Sequence, residues 1–73
     1  MNYLVCTKNN PRNMLTGVRE KRCHDVTADG KAKCNRAAGI EAGIKGWQVM
    51  EYEPGRGELC SYCLKLQEEN YYV

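Results

Sequence analysis

Two cysteines near the end of the chain, Cys60 and Cys63, are separated by two residues. This spacing is typical of half of a tetrahedral zinc site, because a short turn lets both thiolates face one ion while backbone amides donate to the sulfurs. Half a site needs two more ligands. Four upstream residues have suitable side chains: Cys6, Cys23, His24 and Cys34. The choice among them decides which parts of the chain meet at the metal.

The set that the sequence favours contains four cysteines: Cys6, Cys23, Cys60 and Cys63. Cys6 ends a short apolar stretch that is typical of a strand, and a cysteine in that place is well positioned as a ligand. Four thiolates leave no open coordination position. The sequence therefore predicts a structural site rather than a catalytic one.

His24 and Cys34 are the alternative ligands. Cys23 and His24 are neighbours whose side chains point to opposite faces of a strand, so one ion is not expected to bind both. Thiolates dominate structural zinc sites that contain such a cysteine pair, which favours Cys23 and predicts a non-ligating role for His24. Cys34 lies among alanines and is predicted to be a small buried side chain. Sets in which His24 or Cys34 replaces Cys6 or Cys23 remain open.

The number of cysteines is odd, at five in 73 residues. The sequence contains neither a basic start followed by an apolar run nor a stretch long enough to span a membrane, which predicts a cytosolic protein with reduced thiols. Zinc is therefore favoured over disulfides. A domain of this size buries a modest core, and structural zinc contributes roughly 10–16 kcal/mol of apparent binding free energy in zinc-finger peptides.

The elements that would position these ligands predict a small α+β fold in a single domain, 1–73, with a short antiparallel sheet packed on one helix. A strand is predicted at residues 3–5 and a second at 47–53, where Trp47 begins a period-two pattern and is expected to anchor the core.

The helix of this fold is predicted from about residue 28 to 45. Ala37, Ile40 and Ile44 recur at helical spacing, and Gly46 is a suitable terminator. A turn at 54–57 then predicts a hairpin that delivers the cysteine pair to the metal. Residues 64–69 are expected to form one or two helical turns, followed by a tail from about residue 70.

The charge of the chain changes sign along its length. Residues 1–45 contain nine Lys and Arg against four Asp and Glu, a net +5, whereas residues 46–73 contain two against five, a net −3. The basic part suits contact with nucleic acid or with an acidic protein surface. Alanine substitutions at Arg19, Arg22 or Tyr71 are expected to weaken partner binding without unfolding the chain. Catalysis is not expected, because the single histidine has no evident nucleophile partner and phosphate-binding glycine motifs are absent.

The order of a cysteine-bearing strand, an alanine-rich segment, Gly46-Trp47, a strand and Cys60-Ser61-Tyr62-Cys63 is similar to that of small bacterial and phage zinc modules. The first eleven residues, Met1 to Pro11, and the 73-residue length resemble small transcription regulators of lytic Xanthomonas phages. This resemblance implies a monomer that binds host RNA polymerase, disfavours the sigma factor at initiation and promotes antitermination. It assigns no contact residues.

A zinc-ribbon-like nucleic-acid-binding protein is the alternative function. Its phosphate contacts would come from six basic side chains: Arg19, Lys21, Arg22, Lys31, Lys33 and Arg36. A DNA-reading domain is expected to have a stronger basic excess than a net charge of +2. Phosphate contacts would also make binding depend steeply on salt.

Overall fold

Three short strands and one helix form the regular structure of the chain. The structure is a computed structural model that describes residues 2–34 and 38–71, with side chains described through residue 68. In chain order the elements are β1 (Asn2–Cys6), β2 (Cys23–Asp25), β3 (Trp47–Glu51) and α1 (Ser61–Tyr71). The predicted class, a small α+β fold with a short antiparallel sheet and one helix, is confirmed.

The sheet is antiparallel and has the order β2-β1-β3, so the first strand is its centre. Leu4 pairs with His24 on one side and with Val49 on the other. Because side chains alternate along a strand, the register gives the sheet two distinct faces. One face carries Leu4, Cys6 and Trp47, and the opposite face carries Tyr3, Val5 and Cys23. Trp47 is buried, as the sequence predicts.

The predicted helix at 28–45 is wrong for the described residues of that segment. Residues 28–34 and 38–45 form turns and isolated bridges, including antiparallel bridges Val26↔Ala32 and Lys31↔Glu41. Gly39 and Gly43 have φ angles of 88° and 89°. These left-handed conformations end a helix rather than continue it. Ala37 and Arg36 lie outside the described residues.

The helix lies instead at the end of the chain. Residues Ser61–Tyr71 form α1, which is longer than the one or two turns expected at 64–69. It includes the first two residues of the predicted tail, and residues 72 and 73 lie outside the described part. The buried side of α1 is narrow, since Cys63 is fully buried and Leu66 is partly buried. The Gln67 side chain donates a hydrogen bond to the Tyr3 hydroxyl at 3.3 Å.

The predicted hairpin between residues 47–53 and the cysteine pair is also wrong. Strand β3 pairs with β1, and the segment after the 54–57 turn runs beside β2 through a parallel bridge, Cys23↔Leu59. The Cys23 amide donates to the Glu58 carbonyl at 3.2 Å, and the Cys60 amide donates to the Cys23 carbonyl at 2.9 Å. These bonds place the start of α1 next to β2.

Candidate metal centre

Four side chains converge under the Leu4 and Trp47 face of the sheet: His24, Cys34, Cys60 and Cys63. All four are buried, and their ligand atoms lie within 4.8 Å of one another. They come from three separate parts of the chain. His24 lies on β2, Cys34 lies in the loop after β2, Cys60 directly precedes α1 and Cys63 lies in its first turn. This group could hold a metal ion.

The distances within the group match a tetrahedral zinc site. With Zn–S bonds of about 2.3 Å and Zn–N bonds of about 2.0–2.1 Å, tetrahedral geometry separates two sulfurs by about 3.8 Å and a sulfur from a nitrogen by about 3.5 Å. Cys34 Sγ lies 3.7 Å from Cys60 Sγ and 3.5 Å from His24 Nδ1. Cys63 Sγ lies 3.8 Å from the same nitrogen. The donor set therefore fits a single ion without rearrangement of these pairs.

The cysteine pair owes its position to the beginning of α1. Cys60 precedes the helix, its carbonyl accepts from the Leu64 amide at 2.9 Å, and Cys63 follows in the first turn. The positive end of the helix dipole favours thiolates at this point. Burial, in contrast, raises the pKa of the Cys63 thiol, although a backbone hydrogen bond at Asp25 lowers it. A bound cation would offset this burial effect and favour the thiolate.

Cys34 reaches the group because the chain turns back along β2. The Lys33 amide donates to the Asp25 carbonyl at 3.0 Å, and the Lys33 ammonium lies 3.5 Å from the Asp25 carboxylate. Together with the Val26↔Ala32 bridge, these contacts fold the loop over the strand. Cys34 is thus buried as the sequence predicts, but as a member of the candidate metal centre rather than as helix packing.

His24 presents one ring nitrogen to the sulfurs and the other to a carboxylate. Its Nδ1 atom faces Cys34 and Cys63, while Nε2 lies 3.5 Å from Glu20 Oε2 without hydrogen-bond geometry. Burial lowers the pKa of His24 to about 4, so the imidazole is neutral at pH 7. A neutral imidazole is the form that ligates a metal, and Glu20 lies on the side where such a histidine commonly has a carboxylate partner.

Glu20 connects this histidine to the loop before β2. Its other carboxylate oxygen accepts from the Asn13 amide group at 3.4 Å, and Asn13 is itself almost fully buried. Asn13 also donates to the Ala38 carbonyl at 3.1 Å. Sequence reasoning gave no role to either residue, because an isolated Glu and an Asn in a loop carry no spacing signal.

Cys6 and Cys23, the other two residues of the predicted ligand set, do not belong to this group. Cys23 is buried on the opposite face of the sheet with Tyr3 and Val5, and burial together with Glu58 and Asp25 raises its pKa to about 12. Cys6 packs with Leu4 and Trp47, and its sulfur lies 3.7 Å from the Lys8 carbonyl. The prediction that neighbours Cys23 and His24 point to opposite faces is confirmed, but His24 is the residue that faces the cysteine pair.

The residues proposed for partner contact differ in their surroundings. Arg19 is exposed, and its guanidinium donates to Asn10 at 3.0 Å. The Arg22 guanidinium donates to the backbone carbonyls of Cys6, Lys8 and Asn9 at 3.2, 2.8 and 3.2 Å. Arg22 therefore holds the loop between β1 and β2, and its loss is expected to loosen that loop. Tyr71 is the last residue of α1, and its side chain lies outside the described residues.

Comparisons with protein-family models, with curated proteins and with solved structures find no match for this chain. Within residues 2–34 and 38–71, no helix combines the length and the apolar character needed to cross a membrane.

Proposed function

We propose that this chain is a zinc-stabilised regulator that binds host bacterial RNA polymerase in the host cytoplasm. The proposed outcome is inhibition of initiation, through displacement of the sigma factor, and promotion of antitermination. The choice of partner and outcome rests on the resemblance of residues 1–11 to small phage transcription regulators. The molecular part of the proposal rests on one observation, the convergence of four buried ligand side chains.

Zinc is the ion that this donor set favours. Three thiolates and one imidazole form a Cys3His set, which is typical of structural zinc sites and unlike the oxygen ligands that magnesium and calcium prefer. All four positions would be taken by the protein, so the ion would join β2, the following loop and α1. The proposed role of the metal is to hold a binding surface in shape.

Single substitutions of cysteine test the ligand set. Cys34→Ser is expected to abolish stoichiometric zinc binding, measured by metal analysis of the purified chain. Cys23→Ala is the matched control, because Cys23 is equally buried but lies on the other face of the sheet. Retention of one zinc by the control and its loss in Cys34→Ser would support the set. The reverse result would restore the four-cysteine set predicted from the sequence.

The surroundings of the basic residues favour a protein partner over nucleic acid. Of the side chains proposed to contact phosphates, Arg22 is occupied by three backbone carbonyls and Lys33 lies beside the Asp25 carboxylate. Phosphate binding needs cations free to replace counterions. A nucleic-acid-binding protein remains the alternative function.

Capture from host lysate separates the two functions. The immobilised chain is expected to retain RNA polymerase subunits both with and without nuclease treatment. Loss of every captured protein after nuclease would contradict direct polymerase binding and favour the nucleic-acid-binding function.

A further inference from the structure

We propose that the loop tip formed by residues 12–21, together with the start of α1, is the surface that docks on the polymerase. Its occupant would be a polymerase segment that combines acidic and apolar side chains. This inference rests on the proposed function and adds to it the surface and the chemistry of its partner.

The loop tip exposes apolar side chains on an ordered backbone. Met14, Leu15 and Val18 are 66%, 76% and 55% exposed. A group of exposed apolar side chains within five consecutive residues favours a protein interaction site. A phosphate backbone would leave these side chains without an apolar partner, whereas a protein segment could bury them.

The order of the tip comes from Asn13. Its side-chain oxygen accepts from the amides of Leu15 and Thr16 at 2.9 and 3.4 Å, and its backbone amide donates to the Val18 carbonyl at 2.9 Å. An antiparallel bridge between Arg12 and Arg19 closes the base of the tip. Because the tip is already shaped, binding does not have to supply the free energy of ordering it.

The charge around the tip specifies the partner. Arg12, Arg19 and Lys21 are exposed on it, whereas the only acidic side chain of the segment, Glu20, is 8% exposed and turned toward His24. The surface is therefore apolar with a positive border. Complementarity predicts a partner that is apolar at the contact and acidic around it.

A cleft beside the tip offers a place for a partner side chain. Its volume is about 350 Å³, and it lies between the tip and α1, with Val18, Arg19 and Lys21 on one wall and Ser61 and Tyr62 on the other. Cys60 also lines this cleft. The surface is therefore continuous with the candidate metal centre, and Glu20 links the same tip to His24 from inside.

The test uses the full chain and purified core RNA polymerase of the host. The double variant Met14→Ser/Val18→Ser is expected to weaken binding by about tenfold or more, the loss typical of central interface residues. Arg19→Glu is expected to weaken binding as well, and more strongly at low salt, because it reverses a charge at the border.

Val49→Ser is the matched apolar control, since Val49 is 42% exposed on β3, away from the tip. Arg56→Glu in the 54–57 turn is the matched charge control. Zinc content is measured for every variant to confirm that the fold is retained.

The outcomes separate this inference from the proposed function. If the parent binds polymerase and both tip variants bind equally well, the docking surface is wrong and the proposed function stands. If the parent does not bind polymerase, the proposed function fails, and the polymerase segment as occupant fails with it. If Arg19→Glu alone weakens binding, and weakens binding to a duplex DNA or single-stranded RNA probe to the same extent, the surface is a phosphate contact and the inference is overturned.

Discussion

His24 is held in its neutral form by its position, and this protonation state suits metal ligation. Burial lowers its pKa to about 4, whereas an unfolded chain has the ordinary value near 6.5. The unfolded state therefore binds more protons between these two values. The contribution of His24 to stability is complete above about pH 6.5 and is lost progressively as the pH falls toward 4.

The number of protons released on zinc binding at pH 7.5 is predicted to identify the ligands. A Cys3His set releases about three protons from thiols at pH 7.5, where the imidazole is already neutral, and about four near pH 5.5, where the imidazole of the unfolded, metal-free chain is also protonated. Calorimetry in buffers of different ionisation enthalpy measures this number. A four-cysteine set would release about four protons at pH 7.5, and that number would contradict the role of His24.

For individual residues, the sequence indicated which kinds of side chain form the candidate metal centre better than it indicated which particular residues do. The Cys60 and Cys63 spacing indicated a place where four candidate ligand side chains meet. Alternation along β2 correctly separated Cys23 from His24. Which of the two faces the cysteine pair depends on the pairing register of β1 and β2, and that register is a tertiary property.

The described residues between β2 and β3 form turns because their glycines adopt left-handed conformations. A Cβ atom at Gly39 would collide with the side chain of Leu15, which lies over this glycine. Gly43 has no atom within 4 Å of such a Cβ, so only its backbone conformation matters. Both positions have φ near +90°.

Gly43→Ala is predicted to destabilise the fold by about 1–2 kcal/mol, the range for an L-residue in the left-handed region. In a helix the same change would stabilise the fold by about 1 kcal/mol, so the sign distinguishes the two structures. Urea unfolding measures this difference. Gly39→Ala is expected to destabilise at least as much and also to displace Leu15. An increase in stability for either variant would contradict the turn structure.

The helical spacing of apolar residues at 28–45 predicted a helix that the described residues do not form. The helix predicted near the end of the chain was too short. Ile40 is buried because the turns fold over Trp47, not because it lies on a helix face. In α1, Leu64 is exposed and Cys63 is the most buried of the side chains described through residue 68, so the apolar pattern of this part of the helix is weak. A helix that packs through Cys63 rather than through a wide apolar stripe carries little periodic signal.

The described residues include few large apolar side chains in the interior. Its main buried cluster contains Leu4, Ile40 and Trp47, and the rest of that cluster is made of cysteines. Three of these cysteines belong to the candidate metal centre. The ion would thus take the stabilising role that an apolar core has in a larger domain.

Removal of zinc is predicted to unfold the chain. The apparent binding free energy of structural zinc, roughly 10–16 kcal/mol in zinc-finger peptides, is as large as the entire stability of a typical domain. Addition of a strong chelator should abolish the near-ultraviolet circular dichroism of Trp47, and zinc should restore it. Magnesium in place of zinc is the control and should not restore the signal. A chelated chain with an unchanged spectrum would contradict the structural role of the metal.

X-ray absorption at the zinc edge tests the metal centre most directly. The structure predicts one zinc per chain with three sulfur ligands at about 2.3 Å and one nitrogen ligand at about 2.0–2.1 Å. That result would place His24, the only histidine of the chain, at the ion with three cysteines. A shell of four sulfurs would contradict the Cys3His centre and return Cys6 or Cys23 to the ligand set.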